Sequence, residues 1–111
     1  MDDHAGFRSF ARALLEAEGL DVLGEASDGA SAVSAAERLD PQIVLLDIML
    51  PDLDGFEVCA RLTARGRERP AVVLTSSRDA TAYADRLERS AARGFVRKDR
   101  LSGAALLALA R

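Results

Sequence analysis

Hydrophobic positions along the chain change repeatedly between a strand pattern and a helix pattern. Short apolar runs of strand length occupy residues 20–26, 42–47, 71–75 and 94–98. Amphipathic stretches with helical spacing occupy residues 5–18, 30–39, 55–65 and 79–89, and a last one follows Ser102. Strands that alternate with helices along a chain are typical of a doubly wound parallel sheet. The pattern therefore predicts an α/β fold.

The run at residues 43–47 ends on a carboxylate. It reads Ile-Val-Leu-Leu-Asp without alternation, which is typical of a strand buried on both faces of a parallel sheet. Its last residue, Asp47, then lies at the carboxyl edge of the sheet, where open α/β folds bind ligands. A buried carboxylate without a partner is unfavourable. We therefore expect Asp47 to be a functional residue rather than a structural residue of the turn.

Two further strands end on polar side chains, Thr75 and Lys98. Right-handed crossovers bring the carboxyl ends of parallel strands to one edge, so both side chains are expected near Asp47. Lys98 is the only lysine in the chain, and every other cationic side chain except His4 is arginine. A compact ammonium at this position indicates a role that a guanidinium does not fill.

Composition limits the class of protein. The 111 residues are 49% hydrophobic and 30% charged, which suits one globular domain. No apolar run approaches the roughly 20 residues needed to span a membrane. We expect no secretory signal, because Met1 is followed by Asp2 and Asp3 rather than by a basic and then an apolar segment. The single cysteine, Cys59, excludes an internal disulfide and a cysteine zinc site. It fits a packed apolar group in a cytoplasmic protein.

Charge is distributed unevenly along the chain. Residues 1–59 hold 3 arginines and 13 acidic residues, whereas residues 60–111 hold 12 basic and 5 acidic residues. One explanation of these charge blocks is that they form two solvated faces. The other is that the acidic block forms a functional site and the basic block a docking surface. A pI near 5.1 argues against direct binding of nucleic acid through bulk charge.

The chain resembles a bacterial response-regulator receiver domain of two-component signalling. The matching residues are Asp2, Asp3, residues 43–47, Met49, Pro51, Asp54, Gly55, Thr75, Ser76, Phe95 and Lys98. The resemblance covers residues 1–111 and implies a flavodoxin-like sheet of order 2-1-3-4-5. We expect no effector domain after Arg111 and expect the output to run through protein contacts with an unidentified downstream protein. The sequence also leaves open whether the domain forms a homodimer.

The resemblance implies a role for each matching residue. Asp47 would accept a phosphoryl group from a sensor histidine kinase, so the chain is a phosphoacceptor that assists its own chemistry rather than an enzyme. The expected Mg²⁺ ligands are Asp3, Asp2 through water, Asp47 and the main-chain carbonyl of Met49. The expected contacts of the phosphoryl oxygens are Thr75 and Lys98, with Phe95 as the aromatic that reorients on activation. Phosphoryl transfer needs positioning and neutralisation of charge, which these groups supply.

The start of the chain departs from the family. The family opens with an apolar strand that leads into the acidic pair, whereas only Met1 precedes Asp2 here. Loss of this central strand opens a slot of roughly 5 Å between its neighbours. Either the natural chain begins upstream of Met1, or the domain is truncated and depends on a partner strand, or another segment fills the slot. The survival of the acidic pair favours the first interpretation.

Other functions stay open from the residues alone. One alternative is a degenerate receiver, which would have the same fold but would bind partner proteins without being phosphorylated. Residues 52–55 resemble the nucleophile loop of haloacid-dehalogenase-type phosphatases, but Pro51 separates Asp52 from the apolar run. Phosphate-binding glycine motifs are absent from the sequence, which disfavours nucleotide binding. His4 is interpreted as a residue at the start of a helix rather than as a base or a metal ligand. The cognate kinase and the pathway cannot be read from the sequence.

Overall fold

A three-stranded parallel sheet organises the computed structural model, which describes residues 1–64 and 69–111. The strands are β1 (Ile43–Asp47), β2 (Ala71–Ser76) and β3 (Gly94–Arg97). The helices are α1 (Ala5–Ala17), α2 (Gly29–Leu39), α3 (Gly55–Thr63), α4 (Ala84–Arg89) and α5 (Gly103–Leu109), with 3₁₀ turns at Ala80–Tyr83 and Lys98–Arg100. The prediction of an α/β fold with a parallel sheet is confirmed.

The strands lie in the order β1-β2-β3, and their register aligns the polar strand ends. Asp47 at the end of β1 is opposite Thr75 of β2, and Thr75 is opposite Val96 of β3. Every residue of β2 is buried, because β1 and β3 flank it and helices cover both of its faces. Leu46, Val72 and Leu74 pack with α3 on one face, and Val73 packs with Leu15 and Leu106 on the other.

Local signals set most of the helix ends. Asp28, Asp54 and Ser102 are N-caps whose side chains accept a backbone N–H of the first turn at 2.7–3.0 Å. Gly19 follows α1 with φ of 89°, a conformation that suits glycine. The helix predicted at 79–89 begins as a 3₁₀ turn, and residue 65 of the predicted third helix lies outside the described residues. Among the described helices, none is long and apolar enough to span a bilayer.

The prediction of a strand at residues 20–26 is wrong, so the sheet has three described strands rather than the four predicted. These residues follow α1 without forming a ladder. One backbone hydrogen bond joins them to the start of the chain, from the N–H of Asp2 to the carbonyl of Ala26 at 3.0 Å. A β-strand needs a hydrogen-bonded neighbour. Residues 20–25 face β1 across a cavity, and no described strand pairs with them.

Candidate functional site

Asp47 is buried at the carboxyl end of β1, with 3% of its surface exposed. The loop that follows folds back tightly, because the N–H of Gly55 donates to the carbonyl of Ile48 at 2.7 Å. A Cβ on Gly55 would lie 2.6 Å from the Cα of Ile48, so only glycine fits this approach. The loop also aims the N–H of Met49 at Oδ1 of Asp47, 3.2 Å away.

Lys98 contacts both Asp47 and Asp2. It follows β3 directly, and its Nζ lies 3.3 Å from Oδ2 of Asp47 and 2.5 Å from Oδ2 of Asp2. The ammonium also lies 4.6 Å from the centre of the Phe7 ring, a cation–π contact. Lys98 is largely buried and Asp2 almost completely so. The prediction that Lys98 lies near Asp47 at one edge of the sheet agrees with the distance between them, and Asp2, which the resemblance placed in the same site, lies beside Lys98.

Burial and charge shift the pKa of each of these groups. Burial raises the pKa of Asp47, and the neighbouring charge of Asp2 adds to the effect. Burial also opposes ionisation of Asp2, but contacts from Lys98 and His4 outweigh it and lower the pKa of Asp2. Burial disfavours the ammonium of Lys98, yet the two carboxylates raise its pKa. Two carboxylates with opposite shifts beside one cation are typical of a functional site.

Four potential metal ligands meet at this edge. Asp2, Asp3, His4 and Asp47 each offer one ligand atom, and these atoms lie within 4.8 Å of one another. A neighbouring cavity of about 250 Å³ is lined by residues that include Asp3, Asp47 and Lys98. Carboxylate oxygens are the hard ligands that Mg²⁺ prefers, so the donor set fits this ion.

His4, which the sequence analysis interpreted as a helix-start residue rather than a metal ligand, belongs to this cluster. It precedes α1 as its N-cap, as predicted, but its side chain makes no cap bond. Its Nδ1 instead lies 3.2 Å from Oδ1 of Asp2 and 3.1 Å from Oδ1 of Asp3. The signal in the sequence was its position directly after the acidic pair.

Thr75 lies where it was predicted, but its hydroxyl is engaged elsewhere. The residue is 1% exposed, and Oγ1 donates to the carbonyl of Val96 at 2.6 Å. The next residue, Ser76, is also buried, and its hydroxyl lies 3.3 Å from that of Tyr83. Two strand-end hydroxyls therefore contact β3 and the 3₁₀ turn that precedes α4.

Phe95 lies in a row of aromatic rings beside the site. Its ring centre is 6.5 Å from that of Tyr83, which is 6.2 Å from that of Phe56. The guanidinium of Arg86 covers the Phe56 ring at 4.2 Å. Tyr83 was not identified from the sequence, although it is the only tyrosine in the chain.

Met49 lies at the mouth of the 250 Å³ cavity. Its main chain is held by the bond to Asp47 and by an isolated bridge to Asp54. Its side chain is 60% exposed. An exposed thioether at this position covers the site without offering a hydrogen-bond donor.

Asp52 has a structural role. Its carboxylate accepts the N–H groups of Gly29 at 2.6 Å and Ala30 at 3.0 Å, at the start of α2. These backbone contacts lower the pKa of Asp52. It is exposed and does not end a strand, as the nucleophile of a haloacid-dehalogenase-type phosphatase must. The geometry gives no support to that alternative.

The comparison with family models agrees with the geometry. The model of the response regulator receiver domain matches residues 1–110. The chain belongs to this family. It is thus a receiver domain of the response regulators of two-component systems, and such domains signal rather than act as enzymes in the ordinary sense. Receiver domains generally bind Mg²⁺ at an acidic pocket, and they interact with histidine kinases and downstream effectors.

Named relatives cover nearly the whole receiver domain. The virulence-factor transcription regulator BvgA of Bordetella pertussis is 41% identical over 98 residues, covering 88% of this chain and 46% of BvgA. The nitrate/nitrite response regulator NarP of Escherichia coli is 37% identical over 100 residues, covering 89% of this chain and 46% of NarP. The chain thus spans about half the length of these relatives.

Solved structures show the same fold. The signal receiver domain of NarL from Mycobacterium tuberculosis superposes with a TM-score of 0.87 at 33% identity, covering 98% of this chain and 90% of that chain. The receiver domain of NtrX from Brucella abortus gives a TM-score of 0.81 at 28% identity, covering 98% and 90%.

Proposed function

We propose that this receiver domain accepts a phosphoryl group on Asp47 from a sensor histidine kinase, with Mg²⁺ as cofactor. One observation carries the proposal. A buried carboxylate at a strand end lies 3.3 Å from the only lysine of the chain and beside two further carboxylates. Such a group is unfavourable for stability alone, whereas phosphoryl transfer requires it.

In this proposal a carboxylate oxygen of Asp47 attacks the phosphorus of a phosphohistidine. The new P–O bond forms while the P–N bond breaks, and the imidazole leaves with its electron pair. The product is an acyl phosphate that carries nearly two negative charges. Lys98 stabilises these charges from its position beside Oδ2 of Asp47.

Asp3, Asp47 and the main-chain carbonyl of Met49 would hold the ion directly, and Asp2 through water. When bound, Mg²⁺ neutralises charge on the transferred group and lets a carboxylate approach an anion. The residues of the chain then orient the acceptor. The N–H of Met49 donates to Oδ1 of Asp47 and fixes the plane of this carboxylate.

The engaged hydroxyl of Thr75 supports a switch. In the proposed phosphorylated state Oγ1 exchanges the Val96 carbonyl for a phosphoryl oxygen, since an anion is the stronger acceptor. This rotation empties space beside β3, into which Phe95 would turn. Tyr83 would follow, because it contacts both Ser76 and the Phe95 ring.

The output would pass through the surface near these rings. The segment from Arg86 to Arg100 is rich in arginine and adjoins the aromatic row, so it suits contact with a downstream protein. Because its relatives include transcription regulators, a DNA-binding effector reached through protein contact is the proposed output. Residues 1–111 supply the receiver part of such a system.

The test is phosphoryl uptake from a small phosphodonor such as phosphoramidate. Intact-protein mass spectrometry should show one added phosphoryl group with Mg²⁺ and none after chelation. Asp47→Asn, which is nearly isosteric, should show none while keeping its circular dichroism spectrum. Asp52→Asn is the matched control and should be labelled like the native chain. No labelling of the native chain would favour the alternative of a degenerate receiver that binds partners without phosphorylation.

A further inference from the structure

Arg86 of α4 contacts the end of the loop that follows Asp47. This loop, residues 48–54, is called the acceptor loop below. The guanidinium of Arg86 lies 2.5 Å from Oδ2 of Asp54, the last residue of the loop. It also covers the ring of Phe56, the second residue of α3, at 4.2 Å. One side chain of α4 therefore contacts both the end of the acceptor loop and the first turn of the helix that follows it.

The two carboxylate oxygens of Asp54 have different partners. Oδ1 accepts the N–H of Phe56 at 2.7 Å, because Asp54 is the N-cap of α3. Oδ2 accepts the guanidinium of Arg86. Asparagine in place of Asp54 would keep an oxygen for the cap while removing the negative charge. The cap and the ion pair can therefore be separated by substitution.

The backbone around Asp54 closes the acceptor loop onto the end of β1. Asp54 forms an isolated antiparallel bridge with Met49, and the N–H of Gly55 donates to the carbonyl of Ile48 at 2.7 Å. The N–H of Met49 in turn donates to Oδ1 of Asp47 at 3.2 Å. The two ends of the loop are thus joined, so a displacement of Asp54 would reach the group that orients the carboxylate of Asp47.

The contact of Arg86 differs from an ordinary surface ion pair. Exposed ion pairs contribute little on average, because holding two side chains in one geometry is entropically unfavourable. Both partners here are about half exposed, but the Phe56 ring already restricts the guanidinium. Tyr83, three residues before Arg86, packs against the same ring with 6.2 Å between the ring centres. A planar guanidinium can stack on a ring and donate to a carboxylate at once, so arginine suits this position better than lysine.

We propose that Arg86 is a positioning residue for phosphorylation of Asp47. It holds the acceptor loop in the conformation that orients the Asp47 carboxylate and the main-chain carbonyl of Met49. The described lining of the cavity beside Asp47 does not include Arg86, so Arg86 acts through Asp54. The inference rests on the proposed function, in which Asp47 accepts the phosphoryl group.

Labelling rates of three single variants and one double variant test the proposal. Arg86→Met and Asp54→Asn should each slow the initial labelling of Asp47 by phosphoramidate about threefold or more, because a misplaced acceptor reacts more slowly. The double variant should be no slower than the slower single variant, since both changes remove one contact. Arg61→Met is the matched control, because Arg61 pairs with Glu57 within α3 at 3.3 Å and at similar exposure. It should be labelled at the native rate.

Amide hydrogen exchange without phosphodonor gives a second measurement that does not depend on phosphorylation. Arg86→Met should speed exchange of the Gly55 amide, which closes the acceptor loop, and leave the buried amide of Val73 in β2 unchanged. Arg61→Met should change neither amide. If the native chain is not labelled at all, the assignment of Asp47 fails, and exchange at Gly55 alone decides whether Arg86 holds the loop.

Three outcomes would overturn the inference. The first is native exchange at Gly55 in Arg86→Met, because the loop would then not depend on this side chain. The second is faster exchange at Gly55 with labelling at the native rate, because loop position would then not affect the reaction. The third is equal slowing of labelling by Arg86→Met and Arg61→Met, which would indicate a general loss of stability.

Discussion

The ammonium of Lys98 lies 2.5 Å from the carboxylate of Asp2, so an ion pair joins the second residue of the chain to the residue after β3. The contact explains why the pKa of Asp2 is lowered although burial opposes its ionisation. It also holds the start of the chain over the end of the sheet. The same ammonium reaches Asp47, so one cation stabilises both buried carboxylates.

Replacing Lys98 should show how strongly the stability of the fold depends on this cation. Lys98→Met leaves Asp2 and Asp47 buried without their cation, and we expect it to lower the free energy of unfolding at pH 7 by about 2–4 kcal/mol. Lys98→Arg is the control that keeps the charge and should retain most of that free energy. Urea denaturation of the three chains measures the difference. A Lys98→Met chain as stable as the native one would contradict the ion-pair account.

The effect should depend on pH in a defined sense. The pKa of Asp2 is lowered from 3.8 and that of Lys98 is raised from 10.5. The stabilisation by the pair is therefore full between these two values. It is lost in acid as the pH falls from 3.8 through the folded pKa of Asp2, and in base as the pH rises through that of Lys98. The native chain and Lys98→Met should thus converge at both extremes.

Gly55 should tolerate no side chain. A Cβ there meets the backbone of Asp47 and lies 2.6 Å from the Cα of Ile48, so Gly55→Ala should cost about 2 kcal/mol and displace the acceptor loop. Gly6→Ala is a matched control, because Gly6 lies in α1 with no atom within 4 Å of an added Cβ. It should stabilise the chain by about 0.5–1 kcal/mol. Thermal melts that show equal effects at the two positions would contradict the close approach.

Met49 should control how water reaches a phosphorylated Asp47. Its exposed side chain has no donor or strong acceptor, so self-hydrolysis of the acyl phosphate is expected to be slow. Met49→Asn offers an amide that can orient the attacking water, and the labelled protein should then lose its phosphoryl group several-fold faster. Met49→Leu keeps an apolar cover and should decay at the native rate. An unchanged rate in Met49→Asn would place the control of water elsewhere.

The sequence was informative wherever a residue type has few structural alternatives. The unbroken run of β1 and the single lysine at a strand end each combine a local preference with a defined place in a parallel sheet. Because parallel strands end at one edge of a sheet, the sequence then predicted that Asp47, Thr75 and Lys98 lie close together. Such features depend on local chemistry and on topology alone.

The failures concern contacts that local preference does not determine. Residues 20–26 have strand-like composition, but the ladder partner decides whether a strand forms. The hydrogen bond from the hydroxyl of Thr75 to the carbonyl of Val96 is likewise a tertiary contact that the strand pattern does not specify, and the predicted contact of Thr75 with phosphoryl oxygens stays a prediction. Tyr83 and His4 lie near the site because of tertiary contacts, and no pattern in the sequence specifies those contacts.

The most direct test of the account is to locate the phosphoryl group chemically. Sodium borohydride reduces an aspartyl phosphate to homoserine, so reduction after treatment with phosphodonor and Mg²⁺ marks the acceptor in a peptide map. We predict homoserine at position 47 alone, and none in Asp47→Asn. Homoserine at Asp52 or Asp54, or a native chain that yields none, would contradict the assignment of Asp47 as the phosphoacceptor.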